Sequence, residues 1–116
     1  IGRFLKQMQD GEPLTIVGDG EQTRDFTHVR DIVRANLLAL DHPVGRGEII
    51  NIGSGRALSV NALADLLCGA KRVTLPPRVE AQHALADTRR AKELLGWEPE
   101  VGIEEGIQEL KGLFGL

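Results

Sequence analysis

Gly18-Asp19-Gly20-Glu21-Gln22-Thr23-Arg24-Asp25-Phe26-Thr27-His28-Val29-Arg30-Asp31 decides how this chain folds. Two glycines around an aspartate make a strong turn signal. The residues before it, Leu14 to Val17, read as a short strand. Those after it, Asp25 to His28, read as a second strand. Val29, Ile32, Val33, Leu37 and Leu40 then recur at helical spacing, with Pro43 just beyond. Asp31 falls in the first turn of that helix, where a carboxylate suits the positive end of the dipole.

Outward from this stretch, strands and helices keep alternating. Upstream, Ile1, Phe4, Leu5 and Met8 mark a helix that Gly11 and Pro13 stop. Downstream, Glu48 to Ile52 reads as a strand and Gly53-Ser54-Gly55 as a turn. Ser59 is a candidate N-cap for a helix from Val60 to Cys68. Val73 to Leu75 is a brief strand stopped by Pro76-Pro77. Asp87 is a candidate cap for a helix holding Ala91, Leu94 and Leu95, with Gly96 closing it. Trp97 is expected to anchor that helix end in the core. Ile103, Ile107, Leu110 and Phe114 form the stripe of a last helix. The class is therefore α/β, a small mixed domain of short strands and about five helices over residues 1–116.

The bulk numbers fit one modest core. The chain has 116 residues, 41% hydrophobic and 27% charged, an ordinary folded composition. A net charge of −3 argues against a general nucleic-acid surface, which needs a basic excess. Cys68 is the single cysteine; it rules out an intrachain disulfide and reads as a buried thiol. No apolar run approaches the ~20 residues of a membrane span, and no leader pattern is visible, so a cytoplasmic protein without membrane partners is expected. The chain opens on Ile1 inside an amphipathic pattern, which reads as a truncated or engineered start.

Arg24 and Arg78 are the candidate binding residues. A guanidinium can grip two oxygens of a pyrophosphate at once, and both arginines are expected on loops, where ligand contacts concentrate. On composition alone, a solvated or ion-paired surface arginine is the plainer reading of each. Gly53-Ser54-Gly55 mimics the start of a dinucleotide-binding loop, but its third glycine position is Leu58. It reads as a plain turn. Asp19, Glu21, Thr23 and Asp25 alternate like the opening of a calcium loop, yet Arg24 replaces the loop's glycine and Arg30 its closing glutamate. The histidines His28, His42 and His83 lack metal spacing, and no metal site or catalytic group is expected. His28 is expected as a packed or hydrogen-bonded residue on the second strand.

Taken in order, several segments carry a resemblance: Ile1 to Phe4, Glu12 to Gly20, Arg24 to Asp31, Asn51 to Gly55, and Ala86 to Pro99 with its Gly96-Trp97-Glu98-Pro99 corner. Together they resemble the back half of the extended short-chain dehydrogenase/reductase family, the NAD-dependent nucleotide-sugar epimerases and dehydratases, most of all a UDP-glucose 4-epimerase-like member. Positions 17 and 30, often aromatic and often acidic in the family, are Val17 and Arg30 here. The resemblance implies a C-terminal nucleotide-sugar-binding region that lacks most of the Rossmann domain. It implies that Arg24 and Arg78 grip the pyrophosphate of a UDP- or dTDP-sugar. Thr15 to Val17 would face the base, Glu80 the ribose, and Ile1 would lie beside the base. It implies NAD in the full-length parent and no cofactor in this chain. The family's base is a tyrosine, and this chain has none, so the chain alone is expected to be inactive. Surface left bare by the missing domain, above all on the Asp31–Leu40 helix, predicts a homodimer. The alternative is a stand-alone, non-catalytic nucleotide-sugar or interaction module. The upstream reading frame separates the two: a glycine fingerprint and a Tyr-x-x-x-Lys in frame mark the enzyme.

Overall fold

The computed structural model describes residues 1–42, 47–67 and 71–116. The expectations placed on Pro43 and Cys68 lie outside these. Among the described residues, nine elements follow in order: α1 (Gly2–Gln9), β1 (Leu14–Val17), β2 (Thr23–Asp25), α2 (Val29–Asp41), β3 (Ala57–Ser59), α3 (Val60–Leu66), β4 (Arg72–Leu75), α4 (Arg89–Leu95) and α5 (Ile103–Phe114). This is the small mixed α/β arrangement of five helices and short strands that the sequence predicts. Among the described residues, no helix is long and apolar enough to cross a membrane.

Two small sheets organise the chain. β1 and β4 run parallel, with Leu14 opposite Arg72 and Val17 opposite Leu75. β2 and β3 are antiparallel, with Arg24 opposite Leu58 and Asp25 opposite Ala57. The main core forms where α1 and α3 pack on β1 and α5 packs on α1: Phe4, Leu5, Leu14, Ile16, Leu63, Ala64, Leu67 and Ile107. A second, smaller core joins Ala35 of α2 to Ala91, Leu95 and Trp97. The molecule is a slab of about 49 × 33 × 17 Å, and so thin a shape leaves much apolar surface uncovered.

Local chemistry accounts for the helix ends. Ser59 caps α3, its hydroxyl accepting the N–H of Ala62 at 3.1 Å. Thr88 occupies the N-cap position of α4, but the bond comes from Asp87, whose carboxylate accepts the N–H of Arg89 at 3.1 Å. Gly96 ends α4 in the left-handed region, and Trp97 is fully buried beyond it.

Four expectations need correction. The second strand is Thr23–Asp25 rather than Asp25 to His28. His28 instead caps α2, its Nδ1 accepting the N–H of Arg30 at 3.1 Å; an acceptor at that place satisfies an orphan helix donor. Glu48 to Ile52 forms no ladder with a described strand. Its contacts go elsewhere: Ile50 and Ile52 pack against the Trp97 core, and Arg90 donates to the carbonyl of Ile49 at 3.1 Å. Arg24 lies in β2, not in a loop. Asp31 does stand in the first turn of α2, as expected; it is 2% exposed, and its carboxylate also accepts from backbone far along the chain.

Candidate nucleotide-sugar site

The ends of β1 and β4 define an open cleft of about 690 Å³. In parallel sheets the crevice outside the carboxyl ends of the strands is the usual place for a ligand. Here Val17 and Leu75 are the last paired residues, and the N–H of Gly18 closes the pair on the carbonyl of Leu75 at 3.0 Å. The chain then diverges on both sides. One side turns through Gly18-Asp19-Gly20, both glycines at positive φ. The side chain of Asn61 pins that turn by donating to the carbonyl of Asp19 at 2.9 Å and to Glu21 at 2.6 Å. The other side turns at Pro76-Pro77 and carries Arg78 and Glu80 to the rim.

β2 aims its side chains by alternation. Asp25 points to the Gly53-Ser54-Gly55 turn. Its carboxylate accepts the N–H of Ser54 at 2.7 Å, the Ser54 hydroxyl at 2.6 Å, the N–H of Gly55 at 3.0 Å and the N–H of Ala86 at 3.2 Å. Burial pushes the Asp25 carboxyl up, but these donors outweigh it and hold it below the usual value. Gly53 is required there, because a Cβ would stand 2.4 Å from that of Ala86 and 2.7 Å from Oδ2 of Asp25.

Arg24 faces the other way. Its Nη1 donates to the carbonyl of Thr23 at 2.8 Å, and its Nη2 lies 3.2 Å from Oε2 of Glu80. The other oxygen of Glu80 accepts from Nε2 of Gln22 at 3.3 Å, and the same amide donates to the carbonyl of Val17 at 2.9 Å. Gln22 is itself buried. Val17, Gln22, Arg78 and Glu80 thus share one cleft, with Arg24 tied to it through Glu80. Thr15 and Ile1 lie apart. The N–H of Thr15 donates to the side chain of Gln7 at 3.2 Å, and the Gln7 amide donates to the Thr15 hydroxyl at 3.1 Å. Ile1 lines a separate apolar groove of about 210 Å³ with Phe26, Ile103 and Leu110.

A model of the NAD dependent epimerase/dehydratase family matches residues 1–53. The chain is 41% identical over 115 residues to a UDP-glucuronate 4-epimerase of Thermodesulfobacterium geofontis, covering 93% of this chain and 35% of that protein. The UDP-glucose 4-epimerase of Thermotoga maritima, solved with UDP-glucose, superposes with a TM-score of 0.83 at 44% identity, over 90% of this chain and 35% of that one. Its first 53 residues match the NAD-dependent epimerase/dehydratase family, and the chain as a whole resembles the C-terminal part of that family's UDP-sugar epimerases. The UDP-glucuronic acid 4-epimerase of Bacillus cereus, in complex with UDP-glucuronic acid and NAD, superposes with a TM-score of 0.91 at 33% identity, over 97% of this chain and 38% of that one. The chain therefore spans about a third of the length of these epimerases, corresponding to their C-terminal part.

The Gly53-Ser54-Gly55 turn does not offer its amides to the family's dinucleotide. The amides that would cradle its phosphates, those of Ser54 and Gly55, both donate to the Asp25 carboxylate. Gly53-Ser54-Gly55 is a plain turn that leads into β3. Sequence reasoning missed Gln22, although it sits two residues before Arg24 and so shares its face. It also missed that Arg30 bridges α2 to α5. The Arg30 guanidinium meets Glu105 at 3.0 Å and Glu109 at 2.8 Å, which gives a basic residue at position 30 its place.

Proposed function

We propose that this chain is the nucleotide-sugar-binding part of an NAD-dependent UDP-sugar epimerase, nearest in kind to a UDP-glucose 4-epimerase. The observation that carries this reading is the meeting of Arg78 with the Arg24–Glu80 pair at the carboxyl ends of β1 and β4. Two guanidinium groups beside one crevice match a diphosphate, whose oxygens each can take in pairs. The end of β1 at Val17 faces the base, and Glu80 accepts from ribose hydroxyls. The hydride step belongs to the remainder of the enzyme, which brings NAD and the tyrosine base. This chain's residues bind and orient the substrate.

Titration calorimetry with UDP tests the reading. Arg24→Ala and Arg78→Ala should each weaken binding by roughly tenfold or more, the usual cost of a lost charged contact. Affinities equal to those of the unmodified chain would remove the diphosphate role.

A further inference from the structure

The strand that carries Arg24 is held on both edges. On one edge lies β3. On the other lies the loop after β4, which returns beside β2 at residues 82–86. The N–H of Thr23 donates to the carbonyl of Gln82 at 2.8 Å, and the N–H of Ala84 donates to the carbonyl of Thr23 at 3.1 Å. Thr23 and His83 thereby form a parallel bridge, and the Thr23 hydroxyl lies 3.0 Å from Nδ1 of His83. Two residues along β2, Oδ2 of Asp25 accepts the N–H of Ala86 at 3.2 Å. Residues 82–86 are thus the foot of the loop that carries Arg78. The other end of that loop is fixed where the β1–β4 ladder stops at Leu75. Between the two ends, Pro76 and Pro77 restrict the backbone and Val79 is wholly exposed. Arg78 therefore takes its place from the two ends of a short loop rather than from a packed core. Asp25 closes the foot. Its Oδ1 accepts from the N–H and hydroxyl of Ser54 and from the hydroxyl of Thr27, and its Oδ2 from the N–H groups of Gly55 and Ala86. Backbone N–H groups only donate, so Oδ2 is the acceptor that joins the Gly53-Ser54-Gly55 turn to the foot.

We propose that Asp25 is a positioning residue for the diphosphate: by docking residues 82–86 on β2, it sets the span between Arg24 and Arg78. This rests on the proposed UDP-sugar site and adds to it what keeps the two guanidinium groups at one spacing. A hydrogen bond from a guanidinium to a phosphate oxygen holds only over about 2.7–3.2 Å. A foot that lifts from β2 therefore costs the ligand one arm of the grip. Asp25 touches neither the ligand nor the arginines, and it acts through the backbone that carries them. Coupling of this kind is reciprocal. Whatever docking of the foot adds to diphosphate affinity, a bound diphosphate adds to docking of the foot. A nucleoside without phosphates neither needs the foot nor tightens it.

Calorimetry and amide exchange test this together. Asp25→Ala should weaken UDP binding by roughly threefold or more, the low end of couplings within one hydrogen-bonded network. In the unmodified chain, saturating UDP should slow exchange of the Ala84 and Ala86 amides by a similar factor, and the same concentration of uridine should not. A purely structural role for Asp25 would leave those amides indifferent to the ligand. The second measurement needs no variant, so it decides the matter even where Asp25→Ala folds poorly. Unchanged UDP affinity in a folded Asp25→Ala overturns the proposal. So do foot amides that exchange equally with and without UDP, or that uridine slows as much. Failure of the binding site itself has a different signature: Arg24→Ala and Arg78→Ala would then leave UDP affinity untouched, and the proposal would fall with the site.

Discussion

Trp97 is held to Asp31 through the backbone: the indole Nε1 donates to the carbonyl of Asp31 at 3.0 Å, in a buried contact 66 residues apart in sequence. The same aspartate uses its side chain on the next segment. Its two carboxylate oxygens accept the N–H groups of Glu100 and Val101, both at 3.0 Å. Arg34 completes the joint, 3.0 Å from the carboxylate and with its guanidinium 5.6 Å from the centre of the indole ring. One residue thereby fastens α2 to the Gly96-Trp97-Glu98-Pro99 corner and to the approach to α5.

Asp31→Ala should therefore destabilise the chain by about 2–3 kcal/mol, because two part-buried N–H groups lose their acceptor and Arg34 loses its nearest anion. Asp31→Asn keeps one carbonyl acceptor and should cost less. Urea denaturation followed by Trp97 fluorescence measures both. A loss under about 1 kcal/mol for the alanine variant would mean that the joint contributes little.

Acid should unfold the chain through Asp25 and Asp31. At each, burial raises the carboxyl pKa, but hydrogen bonds from backbone N–H groups, with the Ser54 hydroxyl at Asp25 and Arg34 at Asp31, outweigh it and leave the pKa below its ordinary value. A carboxyl whose folded pKa is depressed adds stability above its unfolded pKa of about 3.9 and loses it as pH falls through the folded value. The urea midpoint should therefore hold between roughly pH 5 and 8 with respect to these groups and drop below about pH 4. Asp25→Asn should start lower and fall less steeply. The Asp87 carboxyl is held at about 2 by Arg89 donors, but it is fully exposed, and its pairing should vanish in salt. A midpoint unchanged from pH 7 to pH 3 would contradict the assignment.

Gly53→Ala should cost about 1–3 kcal/mol, the usual range for overpacking. The new methyl would have to displace Ala86 or the Asp25 carboxylate, loosening β2 beside the cleft. The check is a pair of melts, Gly53→Ala against Gly55→Ala. At position 55 a methyl would meet only the Thr88 hydroxyl, at an ordinary 3.9 Å, but φ is +69°, so any loss there reports backbone strain. Full stability in Gly53→Ala would show that the turn can move away.

The chain should self-associate through α2. Val29, Val33, Leu37 and Leu40 are each at least half exposed, Leu40 at 81%, and their spacing puts them along the outer side of the helix. A stripe of this kind marks an interface. Light scattering at rising concentration should approach a dimer mass, with exchange of an end helix as one route. Leu37→Glu with Leu40→Glu should return it to monomer. A monomer mass that persists in the unmodified chain sinks the prediction.

What the sequence made legible was periodic or adjacent. The helical stripes of α1, α2 and α5 declare themselves within a dozen residues, as does the Ser59 cap, whose donor is three residues on. What it hid depended on distance. Ser54 and Ala86 lie 29 and 61 residues from the Asp25 that gathers them, and nothing local to Asp25 names them. The Arg24–Glu80 pairing is hidden for the same reason, although both residues were singled out separately. Glu48 to Ile52 shows the converse. Its strand composition is plain, but a ladder needs a neighbour, and here its isoleucines turn to Trp97 instead.

The β1–β4 pairing has a consequence for how the molecule assembles. Joining Leu14 to Arg72 closes a loop on the order of 60 residues, and that entropy must be met before the ladder repays it. α1 and α3 need no such closure to begin. The pocket at the ends of these strands is thus expected to appear late in folding, with other long-range contacts. A ligand seated there would bridge the two ends of that loop and slow its reopening, so resistance to proteolysis in the intervening residues would report occupancy of a cleft that those residues largely do not touch.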